Sequence, residues 1–439
     1  MLVKIEKIVN GGYGLSTLEN GKKVFVEGAY PGEVVKVEIT KEKKDFSFAK
    51  PVYFVEKAPF RKTPLCAHFN RCGGCHFMDV LYDKQIEFKR EIVKDLFRRH
   101  IGFSDVENTV KSPVEFNYRT KVEFTVAFVK GQPIVGFKSR NSHFVVPIRK
   151  CLVAPEKVNQ ILERLPKILD AASVPIYSFK KRTGILKHVV IRYAFSTDQI
   201  MVIFVTKTEG FPQAKVLKRL LLKEFPWIYS VIHVMNSKDS VVLRGPYRAI
   251  YGEGVIVEKF DWEEYQIPPT AFFQSNYYMA RKLANFVFEA AELSGMEKVL
   301  DLYSGVGLFS LRLSSEAKRV VGVESSRVSY KAAVSNSHIN GRKNVRFVNA
   351  DVLEFLKNNE EKFDIAVVDP PRSGMEKEAS LELLKMKPKK IIYISCEPST
   401  LARDVKILMD GGYKLERVVP FDMFPQTFHI ETVVIMSIP

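Results

Sequence analysis

The sequence lacks the features that mark several large classes of protein. It contains no apolar stretch near the roughly 20 residues that a membrane-spanning helix needs. Its N-terminus, MLVKIEKIVNGGYG, alternates like a β-strand and has no apolar signal-peptide core. There is no internal repeat and no low-complexity tract, and only five cysteines are present in 439 residues. We therefore predict a cytoplasmic monomer with no membrane partner, whose cysteines serve metal binding or catalysis instead of disulfide formation.

The positive charge of the chain is concentrated in its first part. The formal net charge is +17. Residues 1–260 carry 44 Lys and Arg against 26 Asp and Glu, whereas residues 261–439 carry 23 against 24. The excess is either a solvated basic surface or a surface that binds a polyanion. The charge slightly favours a part that binds RNA or DNA, joined to a neutral part that carries out chemistry.

Residue patterns predict a multidomain protein with three domains. Short strand-like runs between Gly and Pro turns in residues 1–57 predict a small OB-like β-barrel. Residues 58–260 begin with a cysteine-rich turn and a basic amphipathic helix, whose polar face we expect in solvent, and continue as an α+β domain. Residues 261–439 alternate short apolar strands with helices, which predicts βαβ units and the parallel sheet of a Rossmann-like α/β domain.

Four of the cysteines have the spacing of a metal site. Cys66, Cys72 and Cys75 lie within ten residues around a Gly-Gly turn, and Cys151 follows at a distance. Four thiolates bind either zinc or an iron–sulfur cluster. Zinc ribbons usually have two close pairs of cysteines, so one close pair with a near third slightly favours iron–sulfur. Reduced cysteines without a metal are the remaining alternative.

The stretch VLDLYSGVGLFS predicts a cofactor-binding turn between a strand and a helix. Gly305 and Gly307 allow the backbone to approach a ligand at the helix N-terminus. Glu324 ends the next strand, where a carboxylate commonly accepts hydrogen bonds from a ribose, and Asp351 follows the third strand, within reach of an adenine amino group. The absence of GxGxxG indicates S-adenosylmethionine over NAD. A helix N-cap is the alternative role for each acid.

Two further stretches place polar residues where predicted strands end. In DPPR, residues 369–372, two prolines stiffen the strand exit and orient Asp369. Arg372 stands where adenine amino-methyltransferases have an aromatic residue, which argues against that activity. In IIYISCEPST, Cys396 follows an apolar run, whereas a structural cysteine belongs inside one. Because parallel strands deliver such side chains into an active-site crevice, Cys396 is a candidate nucleophile.

DLYSGVG, DPPR, SCEPSTLARD and FHIETVV, in this order and together with FFQSN, resemble the motifs of the RNA uridine-5-methyltransferase family. The resemblance covers the whole chain. Residues 1–57 are similar to the TRAM domain, and the four spaced cysteines are similar to those of the ribosomal-RNA branch. The resemblance implies a 4Fe–4S cluster at these four cysteines. It also implies S-adenosylmethionine contacts at Gln274, Tyr303, Glu324 and Asp369.

The same resemblance implies methylation of uracil carbon 5 in RNA. In that reaction a thiolate adds to carbon 6, carbon 5 takes the methyl group, and a base removes the carbon-5 proton. Cys396, the only cysteine outside the quartet, is the predicted nucleophile. Glu431 is the predicted proton acceptor, and His429 is the second choice. Either Asp369 or Arg372 is expected to contact the uracil or to stabilise the enolate oxygen.

Several alternatives stay open at the level of sequence. Ribosomal RNA is the expected substrate, and transfer RNA is the alternative. Cytosine-5 methylation uses the same thiol addition, and a non-catalytic iron–sulfur RNA-binding protein would need no nucleophile. Two residues depart from the family pattern: Glu397 replaces Asn in SCNP, and Ser304 replaces Cys in DLYCG. The first departure changes the polarity beside the predicted nucleophile.

Overall fold

The computed structural model describes residues 1–140, 142, 144–238, 241–261 and 263–438. These residues belong to two compact units. Unit 1 consists of Met1–Phe69, Gly74–Pro113 and Asp369–Pro439. Unit 2 consists of Asn70–Gly73 and Val114–Val368. The three domain boundaries drawn from sequence patterns remain a prediction.

Among the described residues, strands dominate the first part of the chain and alternate with helices in the later part. The strands before residue 150 are β1 (Leu2–Lys4), β2 (Lys7–Val9), β3 (Tyr13–Thr17), β4 (Lys23–Glu27), β5 (Val34–Glu42), β6 (Phe46–Glu56), β7 (Lys121–Val129), β8 (Gln132–Lys138) and β9 (Val145–Pro147). The later strands are β10 (Leu186–Ala194), β11 (Gln199–Thr206), β12 (Ser230–Met235), β13 (Tyr247–Tyr251), β14 (Ile256–Phe260), β15 (Glu263–Ile267), β16 (Lys298–Leu302), β17 (Arg319–Val323), β18 (Val345–Val348), β19 (Ile365–Val368), β20 (Lys390–Ser395), β21 (Lys414–Phe421) and β22 (Glu431–Ser437). The helices are α1 (Tyr82–Ile101), α2 (Glu156–Ala171), α3 (Ala214–Glu224), α4 (Tyr277–Ala291), α5 (Leu308–Leu313), α6 (Arg327–Ile339), α7 (Val352–Asn358), α8 (Lys377–Met386) and α9 (Pro398–Asp410).

Unit 1 begins with a six-stranded sheet in the order β1-β5-β6-β4-β3-β2. Its inner face is apolar because side chains alternate along each strand, as in β4, where Val24 and Val26 are fully buried. These valines pack with Val3, Val35 and Ala49 in a small core. The sheet agrees with the short strands predicted for this part of the chain.

The C-terminal part of unit 1 supplies three antiparallel strands in the order β20-β22-β21. Helix α9 follows β20 and begins at Pro398, a residue suited to the first helical position because its missing N–H has no helical partner there. Glu397 is the N-cap, and its side chain accepts a hydrogen bond from the backbone N of Ser399. The end of β20 is therefore a sharp, well-defined turn.

Unit 2 contains a seven-stranded mixed sheet in the order β13-β12-β11-β10-β7-β8-β9. Helices α2 and α3 contribute Leu162, Leu165 and Leu217 to its apolar core. The strand β10 is buried along almost its whole length, and its buried residues include Lys187, His188 and Arg192 beside the apolar run Val189–Ile191. This sheet and its helices confirm the predicted α+β character of the central part.

Unit 2 also contains four parallel strands in the order β18-β17-β16-β19. Helices α5, α6 and α7 follow β16, β17 and β18 in the chain, so these strands form the predicted βαβ units. Because β16 lies between β17 and β19, the direction of winding reverses beside it. Ligands of such sheets bind beyond the carboxyl end of the strands at this reversal, which in this fold is the turn after Leu302.

No helix in the part of the chain that the structure describes has both the length and the apolar character needed to cross a membrane.

Candidate active site

The strand register of unit 1 brings Cys396 and Glu431 side by side. Strands β20 and β22 are antiparallel, and Ser395 pairs with Thr432 at the end of their ladder. One residue beyond this pair, Cys396 leaves β20 opposite Glu431, the first residue of β22. Glu431 is only 4% exposed, and Cys396 is half-buried. A thiol and a carboxyl group therefore share one end of this sheet.

Asp369 and Arg372, from the DPPR segment, act directly on this pair. The positive charge of Arg372 acts on both Cys396 and Glu431 and favours the ionised form of each group. Asp369 affects the same two groups with the opposite sign. The structure thus gathers four residues singled out from the sequence at one place in unit 1.

Burial dominates the acid–base properties of the thiol and the carboxyl group. Removal from water disfavours the charged form, so burial, with a further contribution from Glu431, raises the pKa of Cys396 from 9.0 to about 12. Burial, followed by the charge of Asp369, raises the pKa of Glu431 well above 4.5. Arg372 lowers the pKa of both groups, although it does not overcome burial. Arg372 is therefore the cation that favours a thiolate and a carboxylate at this strand end.

Helix α1 anchors the loop that leads to Glu431. The ammonium group of Lys89 is completely buried and pairs with Asp422, just after β21. Gln85 Nε2 donates to Gln426 Oε1 at 3.1 Å, and the backbone N of Gln426 donates to Gln85 Oε1 at 3.0 Å. The prediction of a polar helix face in solvent is therefore wrong for Lys89 and Gln85. Sequence patterns missed these contacts because the partners lie more than 300 residues apart in the chain.

Unit 2 holds Glu324 against the turn after β16. Its carboxylate accepts hydrogen bonds from the backbone N of Gly305 at 2.9 Å and of Ser326 at 2.6 Å. Ser326 is the N-cap of α6, so the alternative role of a helix cap does not apply to Glu324. The carboxylate that follows the second strand and the glycine turn that follows the first strand are thus joined by a hydrogen bond.

The other predicted cofactor residues have different surroundings. Asp351 is the N-cap of α7, and its side chain accepts hydrogen bonds from two backbone N atoms of that helix, which is the alternative foreseen for it. Gln274 is buried, and its backbone carbonyl oxygen accepts a hydrogen bond from Thr120 Oγ1 at 2.8 Å. Tyr303 has a φ of +63°, in the left-handed region. These three residues and Glu324 belong to unit 2, whereas Asp369 belongs to unit 1.

Two buried polar atoms at the end of β16 have no hydrogen-bond partner among the described residues: Asp301 Oδ1 and Ser304 Oγ. Burial raises the pKa of Asp301 to about 7, although its other oxygen accepts a hydrogen bond from Ser310. A Cβ atom added to Gly305 would meet nothing within 4 Å, so the turn faces open space. Orphaned polar atoms beside an open glycine turn fit a polar ligand.

The predicted metal site is not shown. Among the described residues, no group of three or more His, Cys, Asp or Glu is arranged to hold a metal ion. Cys66 and Cys75 belong to unit 1, and Cys72 and Cys151 belong to unit 2, where both pack against the same apolar core. The choice between iron–sulfur, zinc and no metal therefore stays a prediction.

Comparisons with known proteins identify the family. A family model for tRNA (uracil-5-)-methyltransferases matches residues 257–438, and a model for the TRAM domain matches residues 1–52. A relative from Thermotoga maritima, named an uncharacterized RNA methyltransferase, is 55% identical over 98% of both chains. The chain belongs to the RNA (uracil-5-)-methyltransferase family. A second uncharacterized RNA methyltransferase, from Clostridium tetani, is 36% identical over 97% of this chain and 94% of its own.

A solved structure supports the same assignment over the full length. The Pyrococcus abyssi tRNA (uracil-54, C5)-methyltransferase, whose structure was solved in complex with S-adenosyl-L-homocysteine, is 31% identical in sequence to this chain. The two align with a TM-score of 0.80 over 99% of this chain and 100% of the other. The protein is therefore an S-adenosylmethionine-dependent RNA methyltransferase with an N-terminal TRAM domain and a C-terminal methyltransferase fold. The resemblance drawn from the sequence motifs is confirmed for the family and not for its iron–sulfur branch.

Proposed function

We propose that this methyltransferase transfers a methyl group to carbon 5 of a uridine in RNA, with Cys396 as nucleophile and Glu431 as proton acceptor. The observation that carries the proposal is the pairing of this thiol with this carboxyl group at adjacent strand ends. Carbon 5 of uracil is a poor nucleophile, and addition of a thiolate at carbon 6 turns the ring into an enolate. A second group must later remove the carbon-5 proton, and a carboxylate whose pKa is raised by burial is suited to that step.

The proposed reaction assigns one task to each residue. The Cys396 sulfur, as a thiolate, bonds to carbon 6, and the electron pair of the 5,6 double bond moves toward the carbonyl oxygen at position 4. Arg372 stabilises the thiolate through its positive charge. After carbon 5 has gained the methyl group, Glu431 takes the carbon-5 proton. The double bond re-forms as the Cys396 sulfur leaves, so the net product of the ring chemistry is 5-methyluridine and one proton.

The residues of the turn after β16 fit S-adenosylmethionine, which supplies the methyl group when bound. We assign the ribose to Glu324, whose carboxylate is already oriented by Gly305 and Ser326. Gln274, Tyr303, Asp351 and Asp369 remain the other proposed contacts. Asp351 retains one carboxylate oxygen beyond the one that caps α7, so capping does not prevent a contact with adenine.

The proposal also specifies which RNA is methylated. Ribosomal RNA is the substrate expected from the sequence resemblance. Transfer RNA is the second candidate, and it is favoured by the Pyrococcus abyssi enzyme, whose name specifies uracil 54 of tRNA. The two candidates share the same chemistry and differ in the surface that recognises the surrounding RNA.

Tritium release tests the reaction and the base together. Methylation at carbon 5 expels the hydrogen of that carbon, so RNA carrying [5-³H]uridine should release tritium when protein and S-adenosylmethionine are added. RNA carrying [5-³H]cytidine should release none, and release from cytidine alone would support the cytosine alternative. Unmodified ribosomal and transfer RNA, assayed in parallel and digested for mass mapping, should identify the substrate and the position. A protein that binds both RNAs and releases no tritium would be the non-catalytic alternative.

A basic hairpin of unit 2 supports RNA as the partner. We name the Phe179 surface by its exposed residues Lys138, Phe179, Lys180, Lys181 and Arg182. The ammonium group of Lys138 lies 5.6 Å from the centre of the Phe179 ring, which is itself 39% exposed. An accessible ring surrounded by cations is suited to a stacked base with its phosphates nearby. We propose that this surface contacts a single-stranded segment of the substrate.

Substitutions on the Phe179 surface should weaken RNA binding in two different ways. Phe179→Ala should reduce affinity roughly 5- to 150-fold, the equivalent of about 1–3 kcal/mol for one stacked base. Lys181→Ala should reduce the slope of log Kd against log salt concentration by about one, because one phosphate contact is lost. Filter binding at several salt concentrations measures both. Phe128→Ala is the matched control. Phe128 is also an exposed phenylalanine (60%), but it lies near the end of strand β7 and is not part of the Phe179 surface. Equal losses in Phe128→Ala and Phe179→Ala would contradict the assignment.

We further propose that the cysteine quartet holds a 4Fe–4S cluster, as the sequence resemblance implies. The two cysteines of unit 2 are held by the backbone around them. Cys72 forms an isolated bridge with Ser139, next to β8, and the backbone N of Cys151 donates to Asn159 Oδ1 at 2.8 Å. Cys72 and Cys151 are partly exposed and their backbone is held in place, so their thiols are suited to bind an iron–sulfur cluster.

Metal content checks the cluster directly. Protein purified without oxygen should be brown, with broad visible absorbance and about four irons per chain. Cys72→Ser should lose this absorbance, whereas Cys396→Ser should keep it because Cys396 lies outside the quartet. A colourless protein that contains one zinc ion would replace iron–sulfur by zinc, and a protein with neither metal would contradict both.

A further inference from the structure

The β2–β3 turn of the six-stranded N-terminal sheet, the part predicted as an OB-like barrel, contacts the segment that carries Cys396. Asn10 Nδ2 donates a hydrogen bond to Glu397 Oε1 at 2.6 Å, although the two residues are 387 positions apart. Asn10 Oδ1 accepts a hydrogen bond from the backbone N of Gly11 at 3.1 Å, and this bond fixes the orientation of the side-chain amide. Glu397 directly follows Cys396 and also accepts from Ser399 Oγ at 2.7 Å. One barrel residue is therefore tied to the neighbour of the nucleophile.

The same turn also contacts the segment that leads to the proton acceptor. Gly12 has a φ of +76°, and a Cβ atom at this position would lie 2.9 Å from the Cβ atom of Phe428. The Phe428 ring in turn packs on His429, with 4.3 Å between ring centres, two residues before Glu431. Only a residue without a side chain allows this close approach. The turn Asn10–Gly12 thus contacts both segments of the catalytic pair.

A separate ion pair anchors the barrel close to this turn. Lys7 of β2 pairs with Asp95 of α1 at 2.7 Å, and the Asp95 side chain is only 11% exposed. Helix α1 is the helix that also holds Asp422 and Gln426 in the loop before Glu431. The barrel, this helix and the two catalytic segments therefore form one connected set of contacts within unit 1.

We propose that the β2–β3 turn of the TRAM barrel is a positioning element of the catalytic pair, and that Asn10 is its main positioning residue. This inference rests on the proposed function, because it assumes that Cys396 is the nucleophile. The amide of Asn10 holds the Glu397 carboxylate on the N-terminus of α9. Without this hydrogen bond the carboxylate keeps only its contacts with Ser399 at the start of α9, its uncompensated charge next to the sulfur opposes formation of a thiolate, and the end of β20 loses a fixed contact. The barrel therefore contributes to the rate of the chemical step in addition to binding RNA.

Exchange of the amide and the carboxylate in the Asn10–Glu397 pair tests this role in the whole chain. Asn10→Asp places two carboxylates against each other, and should slow covalent adduct formation with RNA containing 5-fluorouridine about 100-fold, the scale of a misplaced reacting group. KM for RNA should stay unchanged, and the pH at which the adduct rate is half-maximal should rise. Asn10→Asp combined with Glu397→Gln restores a donor and an acceptor in exchanged positions, and should recover most of the rate.

Two further variants separate positioning from a general loss of structure. Asn20→Asp is the matched control, because Asn20 lies in the β3–β4 turn and its side chain accepts a hydrogen bond from the backbone N of Lys22 in the same turn. It should react like the wild type. Asn10→Ala removes the donor without adding charge, should slow the adduct about 10-fold for the loss of one hydrogen bond, and keeps the test valid if the charged variant is unstable.

Three results would overturn the inference: an unchanged adduct rate in Asn10→Asp, an equal loss in Asn20→Asp, or a raised KM with an unchanged rate. The last result would make the turn an RNA contact. Absence of any adduct in the wild-type protein would instead contradict the proposed function, so the two failures are distinguishable.

Discussion

Replacement of Cys396 by serine should abolish methyl transfer, with a loss of roughly 10⁴-fold or more in kcat. The serine oxygen has nearly the same position and size. Its hydroxyl group, however, ionises far less readily than a thiol, and it is a weak nucleophile toward carbon 6 of the ring. Single-turnover transfer from labelled S-adenosylmethionine to RNA measures the loss. Denaturing gels with RNA containing 5-fluorouridine should show a covalent complex for the wild type and none for Cys396→Ser.

Binding measurements keep this result separate from misfolding. Cys396 and the turn after β16 belong to different units, so Cys396→Ser should bind S-adenosylhomocysteine as the wild type does. RNA affinity should also be retained, because the noncovalent contacts are intact. Retained turnover in Cys396→Ser would contradict the proposed reaction, because the nucleophile would not be the Cys396 sulfur.

Replacement of Glu431 by glutamine should stop the reaction at a later step. Glutamine keeps the shape of the side chain and cannot accept the carbon-5 proton, so the sulfur cannot leave after methylation. Turnover should fall roughly 10³-fold or more, while a covalent complex with ordinary RNA accumulates. Denaturing gels detect the complex, and mass analysis should find the added methyl group on the trapped ring. Glu416→Gln, an exposed change on the neighbouring strand β21, is the control and should behave like the wild type.

The same substitution should also change stability with pH. Burial raises the pKa of Glu431 in the folded protein well above 4.5, so the folded state keeps a proton that the unfolded state releases. Wild-type stability therefore falls as pH rises from the unfolded pKa toward the folded pKa. Glutamine is neutral at every pH and does not incur this cost. Thermal denaturation should show Glu431→Gln more stable than the wild type, with a difference that grows as the pH rises above the pKa of the unfolded state.

Other results with Glu431→Gln would show whether Glu431 acts at addition of the sulfur or at removal of the carbon-5 proton. If Glu431→Gln accumulated no complex and turnover fell nonetheless, the carboxyl group would act before or during addition of the sulfur. His429, the second-choice base, would then be the candidate for removal of the proton. If turnover persisted, another group would take the proton, and Glu431 would be a structural residue of the sheet end.

The sequence by itself determined the family and the order of the elements, and it singled out the candidate reactive groups. Strands alternate with helices where the apolar spacing predicted them, and Cys396 stands out because it follows an apolar run instead of lying inside it. Glu324 was identified by its place at the end of the second strand of a βαβ unit. These features are local, because they depend on residues within one or two elements, and such spacing survives in a single sequence.

Tertiary structure alone decided which distant residues act together. The antiparallel register of β20 and β22 sets Cys396 opposite Glu431, and no local pattern specifies that pairing. Lysine is usually a surface residue. Lys89 is nevertheless buried, because the carboxylate of Asp422, 333 positions away in the chain, neutralises its charge. Asn10 resembles any turn residue until the fold brings it to Glu397. Sequence periodicity reports the environment of each element separately, whereas the charge state and position of a reactive group depend on partners that only folding brings within a few ångströms.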